Sequence, residues 1–214
     1  MPLFTKKHDL IGRALTALVA VGALGGAAAY TYFSHPQVID TGYQPVQPVP
    51  YSHKLHAGNL GMDCYYCHNT VEKAAHAAVP ATETCMNCHV QVKPESPLLK
   101  PVRESYRTGE AIPWVKIHRL ADYVYFNHAA HINAGVSCVS CHGRVDQMIE
   151  VKQVQPLSMA WCLDCHRNPA PHLRPVELVT NLAWQPDRDP AEIGREIIAQ
   201  KKIEPPVNCS GCHR

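Results

Sequence analysis

The sequence predicts a mainly irregular and α-helical domain preceded by one N-terminal transmembrane helix. Three observations lead to this fold class. Eighteen Pro and twelve Gly among 214 residues argue against long helices or a regular sheet over most of the chain. A single long apolar run lies near the N-terminus, and all ten cysteines belong to repeats of one motif, Cys-x-x-Cys-His.

The apolar run covers residues 10–33. As a helix it would span about 36 Å, which is enough to cross a hydrocarbon core of about 30 Å. We therefore predict a transmembrane anchor here. Residues 1–9 are predicted to be cytoplasmic, because Lys6, Lys7 and Arg13 give this end the positive charge typical of the cytoplasmic side.

A cleaved signal peptide is the alternative interpretation, with the alanines at 27–29 as a possible cleavage site. The apolar run is longer than the hydrophobic region of a typical signal peptide, which favours an uncleaved anchor. Residues 34–50 contain four prolines and predict an extended linker. Residues 51–214 form the domain that carries the cysteine motifs.

The motif occurs five times and leaves no cysteine over. Two thiols three residues apart can each form a thioether with a haem vinyl group, and the next histidine is the proximal iron ligand. Disulfides or zinc sites are alternatives, but neither explains a histidine after every second cysteine. We predict five covalently bound haem c (Fe) groups in a multihaem cytochrome c domain, with short helices around stacked haems. The cysteines are Cys64, Cys67, Cys85, Cys88, Cys138, Cys141, Cys162, Cys165, Cys209 and Cys212, and the proximal histidines are His68, His89, His142, His166 and His213.

An internal repeat organises the domain. The segment Tyr51-Ser-His-Lys-Leu-His precedes the first two motifs, and Phe126-Asn-His-Ala-Ala-His precedes the third and fourth. This pattern predicts two dihaem modules, at about residues 51–89 and 126–166. The fifth motif, at 209–213, stands apart from both modules.

The repeated His-x-x-His pairs are candidates for the distal ligands. On a helix this spacing puts both imidazoles on one face, so each pair can reach two haems. One histidine of each pair could instead be a surface residue, but the recurrence favours ligation by all four. His118 is the fifth candidate, or alternatively a packing histidine. The predicted distal ligands are His53, His56, His118, His128 and His131, and the weaker candidates are Met148, Met159, His76 and His172.

The net charge and the number of candidate distal ligands limit the functions that the chain can have. A formal net charge of +2 argues against nucleic acid as a partner. Covalent haem attachment implies an oxidising compartment, so the predicted location is the bacterial inner membrane with the haem domain in the periplasm. An electron relay, a multihaem reductase and a quinol dehydrogenase remain possible. Five distal candidates for five haems favour the relay, which would not be a catalyst by itself.

The two His-x-x-His segments resemble the multihaem family related to small tri- and tetrahaem cytochromes c. The sequence more closely resembles the pentahaem, membrane-anchored cytochrome c subunit of bacterial alternative complex III, a respiratory-chain complex. This resemblance covers about residues 51–214 and includes the single N-terminal helix. The stretches that carry it are 82–89, 101–106, 114–148 and 156–162.

The resemblance implies a subunit of a membrane quinol:electron-acceptor oxidoreductase. It implies integral membrane quinol-binding subunits and an iron–sulfur subunit as partners. Electrons would pass through the haems toward a monohaem cytochrome c, a soluble carrier or a terminal oxidase. The family implies mostly bis-histidine ligation, with a His/Met haem possible. The alternative is a stand-alone, membrane-anchored quinol dehydrogenase that feeds a periplasmic reductase.

Overall fold

The computed structural model describes residues 5–213 and divides into two units, one that ends at Asp40 and one that begins at Thr41. The first unit contains α1 (Lys6–Phe33) and the short α2 (Pro36–Ile39). The 28 residues of α1 are all exposed. Its length and composition would let it cross a bilayer, although a signal sequence meets the same criteria.

The second unit consists of short helices and irregular connections. Residues 5–213 contain no β-strand, and their only β-type pairings are isolated bridges between Val124 and His213 and between Val136 and Leu173. This confirms the predicted mainly α and irregular fold class. The α-helices are α3 (Cys64–Cys67), α4 (Thr82–His89), α5 (Lys100–Thr108), α6 (His128–Ala134), α7 (Cys138–His142), α8 (Met159–Arg167), α9 (Pro190–Lys201) and α10 (Cys209–Cys212). A π-helical segment covers Lys54–Asn59, and 3-10 turns cover Pro97–Leu99, Val145–Gln147, Ala170–His172 and Val176–Leu178.

Four of the five motif helices begin at a side-chain cap. In α3, α7, α8 and α10, the residue before the helix accepts a hydrogen bond from a backbone N–H in the first turn. Each such cap stabilises a helix start by about 1 kcal/mol. The caps therefore fix where each short helix begins, and with it the direction of the two thiols that follow. The capping residues are Asp63, Ser137, Ser158 and Asn208.

The protein-only core is small. One cluster joins Val71, Ile132 and Val179, and a second cluster forms around Leu173 and the inner face of α9. Gly194 of α9 lies against the carbonyl oxygen of Ala170, closer than any Cβ could approach. The first cluster therefore joins the segment after the first motif to the C-terminal half, and the second holds α9 against Leu173.

Residues 41–50, part of the predicted linker, pack with the second unit. The Gly42 N–H donates to the Gln153 carbonyl, and the Gln153 N–H donates to the Tyr43 carbonyl. The Gln47 side chain exchanges two hydrogen bonds with the backbone of Val115, and Val49 is buried. The second unit therefore begins at Thr41, and the Pro-rich residues 41–50 pack within it.

Candidate functional site

The motif cysteines of different modules lie beside one another. The thiols of Cys64 and Cys138 share a hydrogen bond, which raises the pKa of Cys64 and lowers that of Cys138. These are the first cysteines of the first and third motifs. The third motif therefore touches the first, although the second motif comes between them in sequence.

Neighbouring thiols connect the remaining motifs. Burial raises the pKa of Cys85, with Cys67 of the first motif adding to the effect. Burial raises the pKa of Cys141 to about 11, with both cysteines of the fourth motif adding to the effect. Burial likewise raises the pKa of Cys162, and here Cys212 of the fifth motif contributes. The motifs are thus neighbours in the order second, first, third, fourth, fifth.

Three pairs of histidine rings have the separation expected for two ligands on opposite sides of one iron. Two metal–nitrogen bonds of about 2 Å each, plus the two ring radii, place the ring centroids about 6 Å apart. The His56–His89 centroids lie 6.2 Å apart, and those of His131–His166 lie 6.0 Å apart. The rings of His128 and His142 are 6.4 Å apart and nearly parallel, at 8°. Each pair joins a predicted distal histidine to a proximal one.

Seven of the proximal and predicted distal histidines form a hydrogen bond to a backbone carbonyl through Nδ1. A carbonyl can only accept, so the proton lies on Nδ1 and the Nε2 lone pair is free to bind a metal. The residues therefore fit haem iron. The seven histidines, with their carbonyl partners, are His56 (Ser52), His68 (Ala78), His89 (Val92), His128 (Ala75), His131 (Asn127), His166 (Pro206) and His213 (Tyr123).

An aromatic ring supports each His-x-x-His pair in the same way. Tyr51 stacks on His56 at 4.4 Å and meets His53 edge-on at 4.8 Å. Phe126 stacks on His131 at 4.5 Å and meets His128 edge-on at 4.7 Å. Sequence reasoning gave these aromatic residues no role. Their position two residues before each pair was the signal that could have shown it.

Two histidines depart from the carbonyl pattern. Nδ1 of His142 lies 3.3 Å from Nε2 of His118. Nδ1 of His53 is buried without a hydrogen-bond partner in the described structure, and burial together with His68 and His56 lowers the pKa of His53 to about 4. A neutral His53 beside His68 is suited to bind iron, while His118 is directed at another histidine.

The weaker candidates are dispersed. The Met148 side chain lies beside Gly143, immediately after the third motif, and its carbonyl accepts from the Lys54 N–H. Met159 begins α8 with 66% of its surface exposed. His76 and His172 are both exposed, in a turn and a 3-10 turn respectively.

The C-terminal motif folds back onto the second module. The Tyr125 N–H donates to the Cys212 carbonyl, and the His213 ring lies 5.6 Å from the Tyr123 ring. His166 binds the carbonyl of Pro206, which precedes the fifth motif. All ten motif cysteines are free thiols in the structure.

Comparison with known proteins adds a family to this geometry. Residues 124–214 match the family model described as cytochrome c7 and related cytochrome c. This segment is a multihaem cytochrome c domain. It contains the second His-x-x-His pair and the third, fourth and fifth motifs. Cytochromes c hold haem covalently through such motifs, and this segment contains three of them.

A curated relative extends the similarity to a quinone-linked enzyme. The chain is 32% identical over 117 residues to the menaquinone reductase multiheme cytochrome c subunit of Nitratidesulfovibrio vulgaris. The match covers 54% of this chain and 54% of the relative, so it spans about half the length of each. The relative is, by its name, a multihaem subunit of a quinone-linked enzyme.

Proposed function

We propose that this chain is the electron-relay subunit of a membrane-bound, quinone-linked oxidoreductase and carries five haem c groups. The continuous line of neighbouring attachment motifs carries this proposal. When bound, each haem supplies an iron that accepts and releases one electron. The chain's own residues attach the haems, ligate their irons and keep successive motifs in contact.

The ring separations support a ligand assignment. His56 would face His89, His131 would face His166, and His128 would face His142. His53 would face His68, which is one of the groups that lower the pKa of His53. The five motif histidines remain the proximal ligands.

Met159 is the proposed distal ligand for the fifth haem. Cys162, one helical turn after Met159 in α8, is a neighbour of Cys212 in the fifth motif. Met159, which is exposed, is therefore one helical turn from a neighbour of the fifth attachment site. Met148, His76 and His172 are weaker alternatives for this position. His/Met ligation would give this haem a higher potential than its bis-histidine neighbours.

We further propose that α1 anchors the chain in the bacterial inner membrane, with its N-terminus in the cytoplasm and the haem domain in the periplasm. Lys6, Lys7 and Arg13 support this orientation through the positive-inside rule. The proposed partners are integral membrane quinone-binding subunits, an iron–sulfur subunit, and a monohaem cytochrome c or terminal oxidase. The resemblance to alternative complex III supports these partners, with the chain as its pentahaem subunit.

The relative's name raises a second candidate function, which differs in the direction of electron flow. A menaquinone reductase delivers electrons to quinone, whereas alternative complex III withdraws them from quinol. The same line of motifs serves either direction, because an electron relay is reversible. Midpoint potentials relative to the quinone pool would then decide which direction operates.

Purification from membranes in mild detergent tests the proposal. We expect the chain to co-purify with polytopic subunits and an iron–sulfur protein, and to contain five haems by pyridine haemochromogen assay. The complex should transfer electrons between a quinone analogue and a soluble cytochrome c or dye. An isolated chain that oxidises quinol unaided would contradict the complex and support the stand-alone dehydrogenase.

A matched pair of double variants tests the order of the motifs. Cys138→Ser with Cys141→Ser removes the attachment site in the middle of the line, and Cys209→Ser with Cys212→Ser removes one end. The central variant should stop transfer from either end while both ends remain reducible by small dyes. The end variant should keep exchange among the other four haems. Equal effects of the two variants would contradict the linear order.

A further inference from the structure

The third motif differs from the other four in what its proximal histidine binds. His68, His89, His166 and His213 each donate from Nδ1 to a backbone carbonyl. The Nδ1 of His142 instead lies 3.3 Å from Nε2 of His118. The centre of the line of motifs therefore has a histidine side chain where the other motifs have an amide carbonyl.

The geometry of this pair does not suit two ligands of one iron. The His118 and His142 ring centroids are 4.3 Å apart and their planes meet at 85°. Ligands on opposite sides of an iron would have centroids about 6 Å apart. His128 already lies at that distance from His142, at 6.4 Å, with its ring nearly parallel. The Nε2 of His118, which a ligand would direct at iron, points to Nδ1 of His142.

The two nitrogens that face each other can form a donor–acceptor pair. A proton on Nδ1 of His142 leaves its Nε2 for iron, and a proton on Nδ1 of His118 leaves its Nε2 as the acceptor.

We propose that His118 is a positioning residue for the third haem, accepting a hydrogen bond from Nδ1–H of His142 and binding no iron itself. This inference rests on the proposed haem attachment at Cys138 and Cys141. An imidazole nitrogen is a stronger base than an amide carbonyl, so it draws the Nδ1 proton more strongly. His142 thereby becomes a more electron-rich ligand, which stabilises ferric iron and lowers the potential of this haem.

Substitution at position 118 tests the proposal. His118→Phe removes the acceptor and fills its space, while His118→Gln keeps an acceptor oxygen on the side chain. Arg119→Ala, at an exposed neighbouring residue, is the control. Each purified complex is assayed for haem content, titrated potentiometrically in the visible region, and examined by low-temperature electron paramagnetic resonance with and without carbon monoxide.

We expect all variants to retain the wild-type haem content. In His118→Phe one haem component should shift to a higher potential and remain low-spin. That component should stay near its wild-type value in His118→Gln and Arg119→Ala. Should His118→Phe fail to accumulate, His118→Ala replaces it in the same titration.

Two results would overturn the proposal. A new high-spin haem that binds carbon monoxide in His118→Phe would show that His118 is an iron ligand. Unchanged potentials in every variant would show that the hydrogen bond does not tune the haem. A wild-type protein that lacks haem on the third motif would overturn the proposed function itself, and haem counting detects that case before any variant is made.

Discussion

The two dihaem modules repeat one local structure and differ where they meet. In each module an aromatic ring supports the histidine pair, and the second histidine of the pair faces the proximal histidine of the second motif, at 6.2 Å in one module and 6.0 Å in the other. His56 and His131 both bind a carbonyl four residues earlier in their own segment. The distal histidine of each outer site, which faces the proximal histidine of the module's second motif, is therefore held by its own segment.

The inner sites, which pair His53 with His68 in the first module and His128 with His142 in the second, are not equivalent. His128 binds the carbonyl of Ala75, which belongs to the first module, while Nδ1 of His53 has no such partner. Gly58 of the first module lies against the carbonyl of Asp146 in the second, where a Cβ would clash. The repeated sequence thus holds both outer distal histidines in the same way, although His89 binds the nearby Val92 carbonyl and His166 the distant Pro206 carbonyl. The inner site at His128 depends on a contact between the modules.

Removing the distal ligand of an outer site, His56 or His131, should have the largest effect on the haems, and the same effect in both modules. His56→Ala and His131→Ala should each convert one low-spin haem per chain to a high-spin form that binds carbon monoxide, because no second histidine pairs with His89 or His166 at ligand distance among the described residues. Difference spectra of the reduced protein with carbon monoxide measure this.

The matched control for these variants is Lys54→Ala, at an exposed residue between the two histidines of the first pair. It should leave every haem low-spin. If only one of the two ligand variants gained carbon monoxide binding, His56 and His131 would not be equivalent distal ligands in the two modules.

The sequence was sufficient for the features that depend on local spacing. Short motif helices follow from capping residues such as Asp63 and Ser137, and the placement of the histidine pairs follows from the repeat. The contact between His118 and His142 could not be predicted, because it joins residues 24 positions apart across an irregular segment. The packing of residues 41–50 was missed for a similar reason. Their prolines suggest extension, but the partners Val115 and Gln153 lie far along the chain.

Truncating the supporting aromatic rings should have the next largest effect. Tyr51→Ala and Phe126→Ala each remove a half-buried ring stacked on a histidine, and each should lower the free energy of unfolding by about 2–3 kcal/mol. Denaturation in guanidinium chloride, followed by far-ultraviolet circular dichroism, measures the loss.

Tyr51→Phe is the control, because it makes the first module resemble the second. It keeps the ring and removes only the hydroxyl, so its midpoint should stay close to that of the wild type. A large loss in Tyr51→Phe would indicate that the Tyr51 hydroxyl has a role of its own and that the two supports differ in kind.

The smallest effect should come from the ion pair beside the contact between modules. Arg144 donates two hydrogen bonds to the Asp146 carboxylate, at 2.8 and 2.7 Å, which lowers the pKa of Asp146. Because the pKa of Asp146 is lower in the folded than in the unfolded protein, the ion pair contributes its full stabilisation at a pH above the unfolded pKa of Asp. This contribution is lost as the pH falls through the folded-state pKa. Asp146→Asn should therefore lower the denaturation midpoint at pH 7 by less than either aromatic truncation, and the difference from wild type should shrink as the pH is lowered below about 4.

The exposed pair of Glu104 and Arg107 in α5 provides a matched ion pair away from the modules' contact. Solvent screens that pair more strongly, so Glu104→Gln should change the midpoint less than Asp146→Asn. Equal effects would show that the lower exposure of the Arg144–Asp146 pair adds nothing to its strength. A larger effect at Asp146 would instead show that partial burial beside the contact between the modules makes this ion pair stabilise the domain more than an exposed pair does.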